Sequence, residues 1–131
     1  MPRLVPRLAV ALAGVCDLHE AARLRLSSGA VLDLLGGDPV DVPDRYAIAS
    51  PTTRLPIGVP QLLIHGDRDD SVPLEISRRH AAAALAAGDA CELVELSGVD
   101  HLALIDPGSA AWALARSRLL AVMAPAPEGQ A

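Results

Sequence analysis

Apolar positions in this chain gather into three short runs separated by longer amphipathic stretches. Leu8 to Val15 is one run, closed by Cys16-Asp17, and it predicts a strand buried on both faces. Gln61 to His65 is the second, halted by Gly66, and Cys91 to Leu96 the third, closed by Ser97-Gly98. After the first run, Leu18 to Leu26 reads as a helix with Glu20, Arg23 and Arg25 mostly outward, broken by Ser27-Ser28-Gly29. Val31 to Leu35 is a short helical turn ended by Gly36-Gly37. Asp41 to Ala49 is another short helix, with Pro43 tolerated in its first turn. Ser50 to Pro60 contains three prolines and reads as a surface connection. Pro73 suits the first position of a longer helix, with Glu75 favourable in the first turn and Gly88 as its end. Leu74, Ser77, Ala81, Ala84 and Leu85 share one face of it. Ala110 to Met123 is a final helix with Trp112, Ala115, Leu119 and Met123 near one stripe. Residues 1–124 then form one partial domain, and Pro125 to Ala131 a frayed, disordered tail.

Short strands alternating with helices predict βαβ units and hence an α/β fold with a parallel sheet of about three strands, part of a doubly wound architecture. Right-handed crossovers put every strand C-terminus on the same edge of such a sheet. That edge is where open α/β sheets place their chemistry.

Composition narrows the picture. With 131 residues the chain suffices for one domain but is small for a complete α/β enzyme. It is 51% hydrophobic yet has no Phe, so Leu, Val and Ala must fill the core. The net charge of −5, with no lysine and no basic run, argues against nucleic acid as a partner. Cys16 and Cys91 sit in apolar contexts and are expected to be reduced, buried thiols. Arg3 and Arg7 before Leu8–Val15 faintly resemble a signal peptide, but the run is short and Asp17 and His19 follow in place of a small-residue cleavage site. A buried strand and a cytoplasmic protein are the expectation. No apolar segment reaches the 18 residues a membrane span needs.

The stretch His65-Gly66-Asp67-Arg68-Asp69-Asp70-Ser71-Val72-Pro73 carries the candidate chemistry, together with His101. Asp69 follows the second strand and His101 the third, so both belong to the chemical edge. Adjacent strands lie about 5 Å apart, so two short loops there bring such side chains into reach. A carboxylate bonded to a histidine fixes the ring tautomer and stabilises the imidazolium once the ring takes a proton. His65, Asp67, Asp69 and Asp70 are also dense in metal-ligand types. A metal site is not expected, because Val72 stands where an EF-hand loop starting at Asp67 needs glycine. No cofactor is expected. His19 and His80 read as surface or helix-flanking residues.

The motif His65-Gly66-x-x-Asp69-x-x-Val72-Pro73, followed by Gly98-x-x-His101, resembles the C-terminal half of an α/β-hydrolase. The resemblance is to the branch of prolyl-oligopeptidase-type peptidases and small esterase or arylformamidase-like enzymes. Ala13-Gly14-Val15-Cys16-Asp17-Leu18 and Arg45-Tyr46-Ala47-x-Ala49-Ser50-Pro51 extend it over residues 7–123. It implies a serine hydrolase acting on an ester, amide or peptide bond, with Asp69 as acid and His101 as base. Asp70 is the rival acid, disfavoured by the spacing to Val72-Pro73, and Asp67 reads as a turn residue. No Gly-x-Ser-x-Gly nucleophile elbow occurs in the sequence. Ser27, Ser28, Ser50, Ser71, Ser77, Ser97 and Ser109 all read as cap, turn or loop residues. The expectation is therefore a chain that holds acid and base without the nucleophile and is inactive alone. A non-catalytic α/β scaffold or partner-binding module is the alternative. The first strand, as an exposed apolar edge, invites self-association.

Overall fold

A computed structural model describes residues 3–125. Three strands, β1 (Ala9–Leu12), β2 (Gln61–Gly66) and β3 (Cys91–Leu96), form one sheet in the order β1-β2-β3. Both pairings are parallel, with Ala9 beside Gln61 and Gln61 beside Cys91. β2 lies in the middle and all six of its residues are buried.

Side-chain alternation along β2 divides the core. Leu62 and Ile64 face Leu104, Ala111 and Ala115, with Leu8, Val10, Leu12 and Val94 at the margin. Leu63 faces Cys16 and Ala81, with Ala11, Cys91 and Leu93 beside them. The first layer is covered by helix α5 (Ala110–Met123) and the second by helix α4 (Leu74–Ala86). A satellite cluster of Ala21, Ala22, Val31 and Tyr46 joins the three short helices after β1: α1 (Leu18–Arg23), α2 (Leu26–Leu35) and α3 (Pro43–Ala49).

Several expectations are corrected. β1 is half the expected length, because Ala13 turns into the left-handed region at φ 48°. It is an edge strand, partly exposed, and not buried on both faces. α1 stops at Arg23, three residues early. Arg25, Ser27, Ser28 and Gly29 then take left-handed φ values between 50° and 83°, which mark the expected break at Ser27-Ser28-Gly29. The connection from Ser50 to Pro60 holds a 3₁₀ turn at Pro51–Arg54. Pro73 stands just ahead of α4, at φ −58° and ψ 133°, rather than inside it. The buried face of α4 is Ile76, Ser77, His80, Ala81 and Ala84, whereas Leu85 is 58% exposed. His80 is thus a core residue. It lies 2.8 Å from Gln61 Oε1 and 2.9 Å from Thr52 Oγ1, polar partners that a sequence pattern does not display. On α5 the small Ala111 and Ala115 face the sheet, which lets the helix approach closely, while Met123 is 73% exposed. Cys16 is buried, but Cys91 is only half-buried; both are free thiols. Burial, followed by the neighbouring Cys91 and Asp17, pushes the Cys16 thiol up to about 11. The tail expected at 125–131 lies, past Pro125, outside the described residues.

Candidate active site

The two loops that leave β2 and β3 are locked together by backbone contacts. Asp67 N–H donates to Leu96 O at 2.9 Å and Arg68 N–H to Val99 O at 3.1 Å. Gly66 permits this approach: a Cβ built there meets Val99 O at 2.0 Å. Asp67, expected as a turn residue, does more than turn the chain. Its Oδ1 accepts the Gly98 N–H at 2.7 Å, pinning the second loop where Gly98 takes φ 73°.

This frame brings Asp69 and His101 together. His101 Nδ1 lies 2.7 Å from Asp69 Oδ2. The other carboxylate oxygen, Oδ1, accepts the Ser71 N–H at 2.9 Å and the Val72 N–H at 2.8 Å. The Asp69 side chain is fully buried and the His101 side chain 34% exposed. Desolvation pushes the Asp69 carboxyl up, but the Val72 N–H, His101 and the Ser71 N–H together outweigh it and hold the group below its usual range. Because a carboxylate only accepts, Nδ1 carries the proton and Nε2 is left as the ring's basic nitrogen. Among the described residues Nε2 has no hydrogen-bond partner. Asp70 is not part of this pair.

Three of the serines do structural work. Ser50 is fully buried, not exposed on a connection, and its Oγ accepts the Leu18 N–H at 3.0 Å. Ser109 caps α5 by accepting the Trp112 N–H at 3.0 Å. Ser77 Oγ lies 2.7 Å from His65 Nδ1. Among the described residues, none of the serines bonds His101 and no group of three or more His, Cys, Asp or Glu is placed to hold a metal ion. No helix is long and apolar enough to cross a membrane among the described residues.

A parallel sheet with helices on both faces, and a buried Asp paired with a His past the ends of neighbouring strands, defines a partial α/β-hydrolase fold, its C-terminal region. Solved structures share this fold. Esterase 2 of the planctomycete Thermogutta terrifontis matches 95% of the chain at 28% identity and a TM-score of 0.62. A puromycin hydrolase matches 72% at 28% identity and 0.62. The acylaminoacyl peptidase of Pyrococcus horikoshii shares the fold over 87% at 20% identity and 0.67. The chain spans 45%, 15% and 19% of these three proteins respectively. All three are hydrolases by name. No family model matches the chain, and no curated protein matches it.

Proposed function

We propose that this chain carries the acid and base of a serine-type α/β-hydrolase that cleaves an ester, amide or peptide bond. The observation that carries the reading is the 2.7 Å bond from His101 Nδ1 to the buried Asp69 carboxylate, with Nε2 left open. Asp69 orients His101, and Nε2 takes the proton of an attacking hydroxyl as its oxygen bonds the carbonyl carbon. The same nitrogen returns that proton to the leaving group when the tetrahedral intermediate collapses. The nucleophile elbow and the oxyanion hole lie in no part of this sequence, so the chain alone is inactive. A fluorophosphonate probe tests this reading: it labels no serine of the isolated protein. Stoichiometric labelling of any serine sinks the claim that the nucleophile is missing.

The contrast between the two sheet edges favours a second, partner-binding reading. β3 guards its edge with Glu92 and Glu95, paired to Arg118 and Arg78. The four residues of β1 are Ala9-Val10-Ala11-Leu12, uncharged. Self-association through β1 predicts a mass by sedimentation above that of one chain, reverting to one chain in Ala11→Lys. A concentration-independent monomer removes it.

A further inference from the structure

We infer that His65 is a positioning residue for the Asp69–His101 pair, acting through the backbone of Val72; the inference rests on reading that pair as a relay. His65 is fully buried on the α4 side of β2. Its Nε2 lies 2.8 Å from Val72 O, which can only accept, so Nε2 carries the ring's proton and donates it there. Nδ1 is then unprotonated and accepts the Ser77 hydroxyl at 2.7 Å. The N–H of the same residue, in the preceding peptide group, donates to Asp69 Oδ1 at 2.8 Å. Asp69 Oδ2 receives His101 at 2.7 Å and lies 3.3 Å from His65 Nε2.

Four hydrogen bonds therefore link Ser77, His65, Val72, Asp69 and His101 in order, joined at Val72 through its Cα, and each side chain before the last is buried. Any carbonyl would satisfy a merely structural core histidine. This one belongs to a residue whose own N–H helps hold the Asp69 carboxylate, and the same ring nitrogen lies 3.3 Å from Asp69 Oδ2. Without His65, the Val72 carbonyl loses its anchor, the backbone at residue 72 is freer to shift, and the Asp69 carboxylate loses part of the restraint that aims Oδ2 at His101.

The test reads the His101 Nδ1–H proton by NMR in the full chain, assigned by its loss in Asp69→Asn. In His65→Leu, similar in size but with no donor, that proton exchanges with water about tenfold faster or disappears, in a variant that circular dichroism shows folded. In His65→Gln, whose amide N–H reaches the Val72 carbonyl from nearly the same place, it stays near the wild-type rate. Ser77→Ala, which loosens the ring without removing it, gives a smaller acceleration, about threefold. Equal rates in His65→Leu and wild type overturn the inference, and so does equal loss in the Leu and Gln variants. If His65→Leu does not fold, an unchanged rate in Ser77→Ala overturns it instead. A wild-type spectrum lacking the proton, or a proton that survives Asp69→Asn, fails at the earlier step: the relay reading falls, and this inference with it.

Discussion

Replacing Gly66 by alanine isolates the geometry that holds Asp69 and His101 in register. The new Cβ meets Val99 O at 2.0 Å, Val99 C at 2.6 Å and Val99 Cβ at 2.9 Å. All but the last are backbone atoms, so no rotamer change relieves the clash. Real Cβ contacts do not fall below 3.0 Å, so the loop carrying Val99 must retreat by 3.0 − 2.0, at least 1.0 Å. That retreat stretches the 3.1 Å bond from Arg68 N–H to Val99 O past useful length. It also carries His101, two residues on, away from an Asp69 that its own N–H donors hold in place. Overpacking costs about 1–3 kcal/mol and the lost hydrogen bond about 1 kcal/mol more, so Gly66→Ala loses about 2–4 kcal/mol. Urea denaturation followed by circular dichroism shows this as a midpoint about 1–2 M lower. The variant also loses the protected His101 Nδ1–H proton. A variant within about 0.5 kcal/mol of wild type refutes the claim that Val99 backbone fixes the two loops.

Asp69 is held below its usual range in the folded chain, so its ionised form stabilises the fold above the unfolded carboxyl value. That stabilisation fades as pH falls below about 4 and through the lower folded value. Acid unfolding monitored by Trp112 fluorescence therefore loses this component in Asp69→Asn, and imidazole nitrogen shifts report His101 moving to the Nε2–H tautomer. His80 shifts the other way around a base: burial, opposed by Asp17 and Asp89, lowers its value, so the unfolded chain binds a proton first. Urea midpoints then decline as pH falls below about 6.5, and His80→Gln flattens that decline. Buried Asp89 accepts the Ile57 and Gly58 N–H groups at 2.7 and 3.0 Å and the Gln61 amide at 3.2 Å. Asp89→Ala strands these donors and costs about 2–4 kcal/mol in thermal unfolding, whereas Glu95→Ala, which breaks an exposed pair with Arg78, leaves the unfolding temperature near wild type.

The parts legible in the sequence are those set by local chemistry. The apolar stretch Gln61–His65 before Gly66 defines the central strand because β2 is buried throughout, and a strand with no solvent face reads as a continuous run. Strand order puts Asp69 and His101 at one edge, since parallel crossovers fix which ends coincide. β1 read too long because its apolar composition continues past Ala13, while its end is set by a left-handed backbone that composition does not encode. Helix faces failed where burial rests on polar partners distant in sequence: His80 is in the core because Gln61 and Thr52 meet it there.

His65 was legible as a residue and not as a role. Its position in β2 puts it with Gln61 and Leu63 on the α4 side, which alternation alone delivers. What it does there depends on a main-chain carbonyl seven residues later, and backbone groups carry no signature in a sequence. Asp69 is thus marked by its own side chain, while the Val72 N–H that helps hold it could come from any residue except proline at that position. A valine-to-proline exchange makes the point sharply: Val72→Pro would remove the N–H from Asp69 Oδ1 while leaving the carbonyl for His65. The carboxylate would then keep Ser71 alone as a backbone donor on Oδ1, and its pull toward the low range would weaken.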